Sequence, residues 1–198
     1  MDAHRALAEI VGGLLVGGAS RRFGLPKQLV EWRGCTFGER IVAALGEVVD
    51  EVVLLGGGPV AASLSKLERR LDAAGVRGPL AGILGGLAAA DGRALLVAAC
   101  DQPLLSAEAL RWLLARRRPG AIAVLARLGP EGIEPLPGIY EPAAAGPLAE
   151  LARAGGSLQP LSWRDDVVLV ATPPELASAW TSVDRPESLA RFEPGGAE

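Results

Sequence analysis

The stretch that decides the fold reads LLVGGASRRFGLPK and occupies residues 14–27. Its start belongs to an apolar run at residues 10–16 without polar alternation, which predicts a strand buried on both faces. A turn with Gly17 and Gly18 follows and carries two arginines before Lys27. Glycines let backbone N–H groups approach an anion, and the cations neutralise it. The stretch therefore predicts a site for the phosphates of a nucleotide.

The composition of the 198-residue chain indicates a globular protein with a full core. Apolar residues make up 49% of the chain and charged residues 22%. The net charge is −3, and the basic run at 116–118 is expected to be a solvated helix end, so no nucleic-acid partner is expected. The two cysteines lack a metal-ligand spacing, and the one histidine, His4, lies in a predicted tail. A zinc site or a catalytic histidine is therefore not expected.

The N-terminal apolar run could belong either to a signal peptide or to a first strand. Arg5 precedes the run, but Asp2, Glu9 and the glycines within it favour a strand of a cytoplasmic protein. No later apolar run approaches the roughly 18 residues that span a bilayer. No membrane partner is expected, and the protein is expected to be a monomer or a weak oligomer.

Strand-like and helix-like segments alternate along the chain. Strands are predicted at residues 10–16, 51–55, 94–100, 121–125 and 167–170, with an edge or irregular strand at 133–140 because it carries two prolines. Helices are predicted at 36–47, 60–71 (passing into a short strand before Asp72), 78–90, from 106 onward, at 142–154 and within 181–192. This alternation predicts a three-layer α/β/α, Rossmann-like fold with a mostly parallel sheet.

Asp101 is the second feature on which the functional prediction depends. It directly follows the predicted strand at 94–100, and ligands in open α/β sheets bind outside the carboxyl ends of the strands. If this strand and the first one are both central, Asp101 and Lys27 face one crevice. A carboxylate beside a triphosphate is a natural Mg²⁺ ligand. The alternative is that Asp101 only caps the turn that follows it.

The glycine turn alone matches neither of two common phosphate-binding motifs. Gly17 is followed by no Gly-Lys-Ser/Thr sequence, and GGASRRFG lacks the G-x-G-x-x-G spacing. A tight turn between a strand and a helix, with a solvated pair of arginines, therefore stays open as its alternative.

Four segments of the chain, in order, resemble the molybdenum cofactor guanylyltransferases, a family of MobA-like nucleotidyltransferases. They read LVGGASRRFGLPK at 15–27, GPLAGI at 78–83, VAACDQPLL at 97–105 and SVDRPESL at 182–189. The resemblance implies one nucleotidyltransferase domain over residues 1–198, with a nucleotide-binding half at about 10–128 and an acceptor-side half at about 129–192. The implied reaction transfers GMP from GTP to the terminal phosphate of Mo-molybdopterin and releases pyrophosphate.

The same resemblance implies roles for individual residues. Asp101, Lys27 and Arg22 are the implied catalytic residues, and Asp101 is also the implied ligand of Mg²⁺, the expected cofactor. The implied nucleotide-binding residues are Leu15, Val16, Gly17, Gly18, Lys27, Asp72, Gly78, Gly82 and Asp101. Ser182 and Asp184 are expected on the acceptor side. The implied partners are GTP, the molybdopterin cofactor and the enzymes that accept the finished cofactor.

Two alternatives to this function stay open. Pro26–Lys27–Gln28 resembles the cytidylyltransferases of isoprenoid synthesis, and Asp101–Gln102–Pro103 resembles a relative that makes the cytosine dinucleotide cofactor. A related nucleotidyltransferase that uses CTP, or one that acts on a different phosphate acceptor, is therefore one alternative. The loop at 78–82, by contrast, favours guanine. A non-catalytic nucleotide-binding module is the other alternative, and the presence of Lys27 and Asp101 argues against it. A phosphate acceptor is already a nucleophile, so the reaction needs cations and alignment more than a histidine base.

Overall fold

The computed structural model of the protein describes residues 7–17, 24–129 and 133–192. Its strands are β1 (Ile10–Leu15), β2 (Glu31–Trp32), β3 (Cys35–Thr36), β4 (Val52–Leu55), β5 (Arg69–Arg70), β6 (Ala94–Ala99), β7 (Ala123–Arg127), β8 (Glu134–Tyr140) and β9 (Val167–Ala171). Its α-helices are α1 (Phe37–Gly46), α2 (Pro79–Ala88), α3 (Ala107–Leu114) and α4 (Ala145–Arg153). Short 3₁₀ helices occupy Lys27–Leu29, Ala62–Leu64, Pro142–Ala144, Gln159–Trp163, Pro174–Trp180 and Pro186–Phe192.

Seven of these strands form one sheet in the order β5-β4-β1-β6-β8-β7-β9, while β2 and β3 pair separately. Strands β5, β4, β1 and β6 run parallel, as do β7 and β9, and β8 is antiparallel to both of its neighbours. Because β1 and β6 are adjacent in the middle of the sheet, their carboxyl ends open at the same edge. The predicted three-layer, mostly parallel α/β fold is therefore confirmed.

Both faces of the sheet are covered by apolar helix faces. Helices α1 and α3 pack on one face through side chains such as Ile41 and Leu110. Helices α2 and α4 pack on the other face through side chains such as Ile83 and Leu148. Strand β1 has helices above and below it, so its apolar residues are buried without alternation, as its sequence pattern predicts.

Local signals in the sequence place the helix starts. Thr36 Oγ1 accepts a hydrogen bond from Glu39 N at 3.2 Å, and Glu39 Oε2 accepts one from Thr36 N at 2.7 Å, which forms a capping box at α1. Ser106 caps α3 in a similar way by accepting from Ala109 N. Helix α2 begins at Pro79, directly after Gly78, where a proline loses no helical hydrogen bond.

The helix predicted at residues 60–71 is wrong. The segment contains a 3₁₀ turn at Ala62–Leu64 and then β5, and this short strand before Asp72 is the part of the prediction that is confirmed. Leu64 is buried, whereas Leu71 is 70% exposed, so the leucines at helical spacing do not share a buried face. Backbone pairing with β4, for example Leu54 N to Glu68 O at 2.8 Å, overrides the helical pattern.

Strand β8 is irregular, as its two prolines predict, but it does not lie at an edge of the sheet. It is inserted between β6 and β7. The ladder with β7 pairs Leu125 with Gly138 and then Ala126 with Glu134, so residues 135–137 have no partner in it. A proline in that interruption removes no ladder hydrogen bond, which explains how an interior strand tolerates both prolines.

The C-terminal segment returns to the edge of the sheet where β1 and β6 end. Val183 is fully buried in a small cluster with Trp32 and Phe37, and its N–H donates to Asp101 O at 2.7 Å. The final helix predicted within 181–192 is a 3₁₀ helix, Pro186–Phe192. This return places residues 182–184 beside the end of β6.

Across the ranges described, no helix is long and apolar enough to cross a bilayer.

Candidate active site

A cavity of about 360 Å³ opens at the carboxyl ends of β1, β4 and β6. This is the position at which open α/β sheets bind ligands. The residues that line it are Leu15, Val16, Gly17, Lys27, Leu55, Asp72, Gly78, Pro79, Ala99, Cys100, Asp101 and Leu136. Most of the site residues predicted from the sequence and described in the structure are therefore brought together around one cavity.

One end of the cavity holds a cluster of charged and polar side chains, Lys27, Asp101, Ser182 and Asp184, called here the Lys27 cluster. Lys27 Nζ donates to Asp101 Oδ2 at 3.1 Å and to Asp184 Oδ1 at 2.5 Å. Ser182 Oγ donates to the same Asp101 oxygen at 2.8 Å. Asp101 therefore does more than cap the following turn, because it connects the lysine to the C-terminal segment.

The lysine of this cluster is held in its charged form. Burial by itself would lower the pKa of Lys27, but hydrogen bonds and charge attraction from Asp184 and Asp101 outweigh it and raise the pKa above its ordinary value. Lys27 therefore remains an ammonium ion throughout the neutral pH range, available to an anionic ligand.

The oxygen atoms of the Lys27 cluster suit Mg²⁺. Magnesium favours one or two carboxylates and completes its octahedron with substrate phosphates and water. Asp101 and Asp184 place carboxylate oxygens on the same ammonium group, and Asp101 is partly exposed to the cavity. Within the described ranges, no three or more His, Cys, Asp or Glu side chains form a group that could hold a metal ion. A Mg²⁺ ion held here by one or two carboxylates would complete its coordination with substrate phosphates and water.

A second carboxylate, Asp72, lines the cavity after β5, which β4 and β1 separate from β6 and Asp101 in the sheet. A β-carbon added at Gly56 would lie 3.3 Å from Asp72 Oδ1, and one added at Gly82 would lie 3.5 Å from it. Gly82 lies in α2 behind the cavity wall, where a β-carbon would meet Leu15 Cδ2 at 2.4 Å. Gly78 has a φ of +70° at the start of α2, a conformation that favours glycine.

Two of the predicted site residues, Gly18 and Arg22, lie outside the described residues. Their predicted roles, phosphate binding by Gly18 and catalysis by Arg22, stay predictions. The structure describes both ends of the opening stretch: residues 14–17 lie at and just after the end of β1, and Gly24 to Lys27 lead into the 3₁₀ helix at Lys27–Leu29.

Gln28 is a buried polar residue at the site that the sequence pattern does not reveal. Gln28 is 1% exposed and joins two loops, since its Nε2 donates to Pro59 O at 2.9 Å and its Oε1 accepts from Cys100 Sγ at 3.7 Å. Burial and the neighbouring Asp101 raise the pKa of the Cys100 thiol to about 11, so it stays neutral. The position of Gln28 directly after Lys27 was the only local signal, because its burial depends on loops that are distant in sequence.

The model of the MobA-like NTP transferase domain matches residues 12–168 of the chain. Similar curated proteins include those of Bacillus cytotoxicus and Bacillus mycoides, each named as a probable molybdenum cofactor guanylyltransferase. They are 35% identical over 107 residues and 33% identical over 113 residues, which are 52% and 54% of this chain. The matches cover 54% and 56% of the two relatives, so the chain spans about half the length of the curated relatives it matches.

Solved structures share the whole architecture. The molybdopterin-guanine dinucleotide biosynthesis protein A of Archaeoglobus fulgidus is 25% identical with a TM-score of 0.74, over 92% of this chain and 96% of that one. The 2-C-methyl-D-erythritol 4-phosphate cytidylyltransferase of Thermus thermophilus is 19% identical with a TM-score of 0.62, over 93% of this chain and 96% of that one. At that lower identity, the second likeness shows a common fold alone.

Proposed function

The chain belongs to the MobA-like NTP transferase family, and on that premise we propose that it transfers GMP from GTP to the terminal phosphate of Mo-molybdopterin. The products are the guanine dinucleotide form of the cofactor and pyrophosphate. The two named Bacillus relatives and the Archaeoglobus structure support this choice of substrates.

The observation that carries the proposal is the distribution of charge along the cavity. Asp101, bound by Lys27, follows β6, whereas Asp72 follows β5, and strands β4 and β1 lie between those two strands. All three residues line the cavity, as does Gly78. Guanine presents two adjacent donors, its ring N1–H and its 2-amino group, and one carboxylate can accept from both. Cytosine offers one amino donor beside a ring nitrogen that is an acceptor, which a carboxylate would repel. Asp72 at the base end therefore favours guanine over cytosine.

The chemistry of the transfer needs alignment and charge neutralisation. The ammonium group of Lys27 binds a phosphate oxygen of GTP and lowers the repulsion between two polyanionic substrates. Ser182 and Asp184 lie on the segment that returns to Asp101, where the acceptor would enter. The Ser182 hydroxyl would donate to the terminal phosphate of the acceptor, and Asp184 would hold Lys27 in place for in-line attack. Mg²⁺, held by Asp101, would neutralise charge on the triphosphate and on the departing pyrophosphate when bound.

A CTP-dependent transfer to the same acceptor is the second candidate. Pro26–Lys27–Gln28 and Asp101–Gln102–Pro103 favour it, as the sequence analysis states. Gln102 is buried, its Nε2 donates to Leu136 O at 2.7 Å, and it is not among the residues that line the cavity, so it supports this candidate less directly than Asp72 supports guanine. GTP therefore remains the proposed donor.

The remaining features of the proposed function concern the surroundings of the protein. We place it in the cytoplasm, where its two free thiols, Cys35 and Cys100, would stay reduced. It would act as a monomer or weak oligomer and would pass the finished cofactor to the enzymes that use it.

The proposal is tested by measuring pyrophosphate release from purified protein, Mg²⁺ and Mo-molybdopterin with GTP, CTP, ATP or UTP in turn. We expect GTP to give the highest kcat/KM. A higher kcat/KM with CTP would favour the second candidate. Absence of pyrophosphate with every nucleotide, from protein that is folded by circular dichroism, would contradict transfer to this acceptor.

A further inference from the structure

The segment after β4, residues 56–59 with the sequence Gly-Gly-Gly-Pro, packs against the backbone of the glycine turn and is called here the 56–59 loop. Gly58 N donates to Val16 O at 3.1 Å. A β-carbon at Gly56 would lie 2.6 Å from Val16 O, and one at Gly58 would lie 3.0 Å from Gly17 N. Only glycine permits this approach, so the loop supports the Val16 and Gly17 wall of the cavity directly.

The same loop also borders the base end of the cavity. Gly56 has a φ of +102°, and its N–H donates to Arg70 O at 2.9 Å, just before Asp72 in the chain. Asp72 Oδ1 lies beside the position that a Gly56 β-carbon would take. The placement of the 56–59 loop therefore affects both the phosphate side and the base side of the nucleotide site.

Two side chains from other segments hold this loop by its carbonyl groups. Arg69 Nη1 donates to Gly56 O at 2.6 Å and to Gly58 O at 3.0 Å. Gln28 Nε2 donates to Pro59 O at 2.9 Å. Three of the four carbonyl oxygens of the loop are thus bound by donors that the loop does not itself contain.

Gln28 connects the loop to the catalytic end of the cavity. It directly follows Lys27, and its Oε1 accepts from the thiol of Cys100, which directly precedes Asp101. Its side chain is almost completely buried, so its amide keeps one orientation. One side chain therefore links the 56–59 loop with the segments that carry both charged residues.

Three consecutive glycines would leave an unrestrained loop with a large conformational entropy. Ordering a backbone residue costs about 1–2 kcal/mol, and glycine is at the upper end of that range. A ligand that has to order the loop binds more weakly than one that meets a preformed wall. Restraint of the loop before the nucleotide arrives therefore raises affinity without any direct contact.

We propose that Arg69 and Gln28 are positioning residues that preset the 56–59 loop for the nucleotide. Neither acts on the reacting atoms. Arg69 fixes the first part of the loop, and Gln28 fixes its end relative to Lys27 and Asp101. The inference rests on the proposed function in taking a nucleoside triphosphate as the ligand of this cavity.

Arg69→Ala is the first test, because Arg69 is exposed in a two-residue strand at the sheet edge and its loss opens no core. We expect the Kd and KM for MgGTP to rise about five- to tenfold, the scale of one or two lost hydrogen bonds. The kcat at saturating GTP should stay within about twofold. Arg69→Lys retains a donor and should recover part of the affinity.

Arg118→Ala is the matched control, because it removes the same charge from an exposed position before β7, a strand near the other end of the sheet order from β5. Hydrogen exchange supplies the structural readout. In Arg69→Ala, amides of the 56–59 loop should exchange faster, while those of β1 and β6 keep the wild-type rate. A buried, apolar replacement of similar length, Gln28→Met, should accelerate exchange in the same loop and raise KM as well.

Calorimetric titration of each variant with MgGTP and with MgCTP distinguishes the positioning role of Arg69 from the choice of guanine as the base. Wild-type GTP affinity in Arg69→Ala, or an increase in Kd no larger than that of Arg118→Ala, would overturn the inference. Unchanged exchange in the loop would overturn it too. If the wild type binds CTP and not GTP, and Arg69→Ala weakens CTP binding, the positioning role stands and the guanine assignment fails.

Discussion

At the scale of single residues, Asp101 is the residue that most directly connects the sequence pattern with the geometry of the site. The sequence places it after a buried strand, and the structure places its carboxylate 3.1 Å from Lys27 Nζ and 2.8 Å from Ser182 Oγ. We expect Asp101→Asn to lower kcat by at least about a hundredfold, since a neutral amide is a poor Mg²⁺ ligand. Initial rates of guanylyl transfer at saturating Mg²⁺ measure this.

The thermal unfolding curve of Asp101→Asn is the control for this prediction. The melting temperature should stay close to that of the wild type, because Asp101 is only partly buried and its amide replacement keeps the shape. Near-wild-type transfer by the folded variant would show that Asp101 is not the metal-binding residue.

Lys27 provides a prediction with a pH dependence. Lys27→Ala should weaken GTP binding about tenfold or more, since a charge-assisted contact to phosphate is lost. The pKa of Lys27 is raised, so its positive charge, and with it its contribution to GTP binding, is fully present below the ordinary lysine pKa. Both are lost only as the pH rises through the higher pKa of Lys27 in the folded protein. The calorimetric difference between the wild type and Lys27→Ala should therefore be constant from pH 7 to about 9.

A difference that disappeared between pH 7 and pH 9 would contradict the raised pKa of Lys27. Equal GTP affinity of wild type and Lys27→Ala at pH 7 would remove the phosphate role altogether. Lys27→Arg is the companion variant, because it preserves the charge and should retain most of the affinity.

The charged residues of the site could be predicted, whereas the residues that position them could not. Asp101 directly follows an apolar run, Lys27 follows the turn after another, and topology brings the ends of these two central strands together. Gln28 is different, because its burial depends on Pro59 and Cys100, which lie 31 and 72 residues away. The contact of Lys27 with Asp184 spans 157 residues and likewise has no local signal.

At the scale of secondary-structure elements, the start of α1 illustrates a signal that the sequence contains in full. We expect Thr36→Ala to lower the free energy of unfolding by about 1 kcal/mol at pH 7, because it removes the hydroxyl of the capping box. Hydrogen bonds from Ser63 and Thr36 lower the pKa of Glu39. The contribution of the Glu39 carboxylate to the free energy of unfolding is therefore present above the ordinary glutamate pKa. It is lost as the pH falls through the lowered pKa of Glu39 in the folded protein.

Urea unfolding at pH 7 and at pH 3 measures both parts of this prediction. The cost of Thr36→Ala should be smaller at the lower pH, because a larger fraction of Glu39 is protonated there. An equal cost at both pH values would show that the carboxylate contributes nothing to the capping box. Glu39→Gln, whose side chain does not titrate, is the matched variant.

Two segments show where local sequence patterns are insufficient to predict the structure. Leu64, Leu67 and Leu71 share a helical spacing, yet pairing of β5 with β4 gives part of that segment an extended backbone. In β8, the prolines predict irregularity correctly, but its interior place follows from pairing with β6 and β7. In both cases hydrogen bonds between segments distant in the chain outweigh the local preference.

At the scale of the whole molecule, the order of strands in the sheet leads us to expect that the parts before and after residue 129 fold together. Strand β8 comes from the later part of the chain and lies between β6 and β7, which come from the earlier part. We expect the fragment 1–128 to show no cooperative thermal transition, because the facing edges of β6 and β7 would lose their partner. The full chain should unfold in one transition.

Circular dichroism of the fragment and of the full chain during heating measures this difference. A cooperative transition in the fragment alone would show that the nucleotide-binding half folds by itself. The alternation of strands and helices was enough to predict the α/β class, but the insertion of β8 was not predictable, because it depends on long-range pairing rather than on periodicity.

We propose above all that the protein transfers a guanylyl group to molybdopterin at this cavity. The most direct test of this proposal incubates the protein with Mg²⁺, Mo-molybdopterin and an equimolar mixture of GTP and CTP, and identifies the product by mass spectrometry. The account predicts a cofactor whose mass has increased by one GMP unit, formed with stoichiometric pyrophosphate and absent with Asp101→Asn. A product that carries CMP, or a cofactor that stays unmodified, would contradict it.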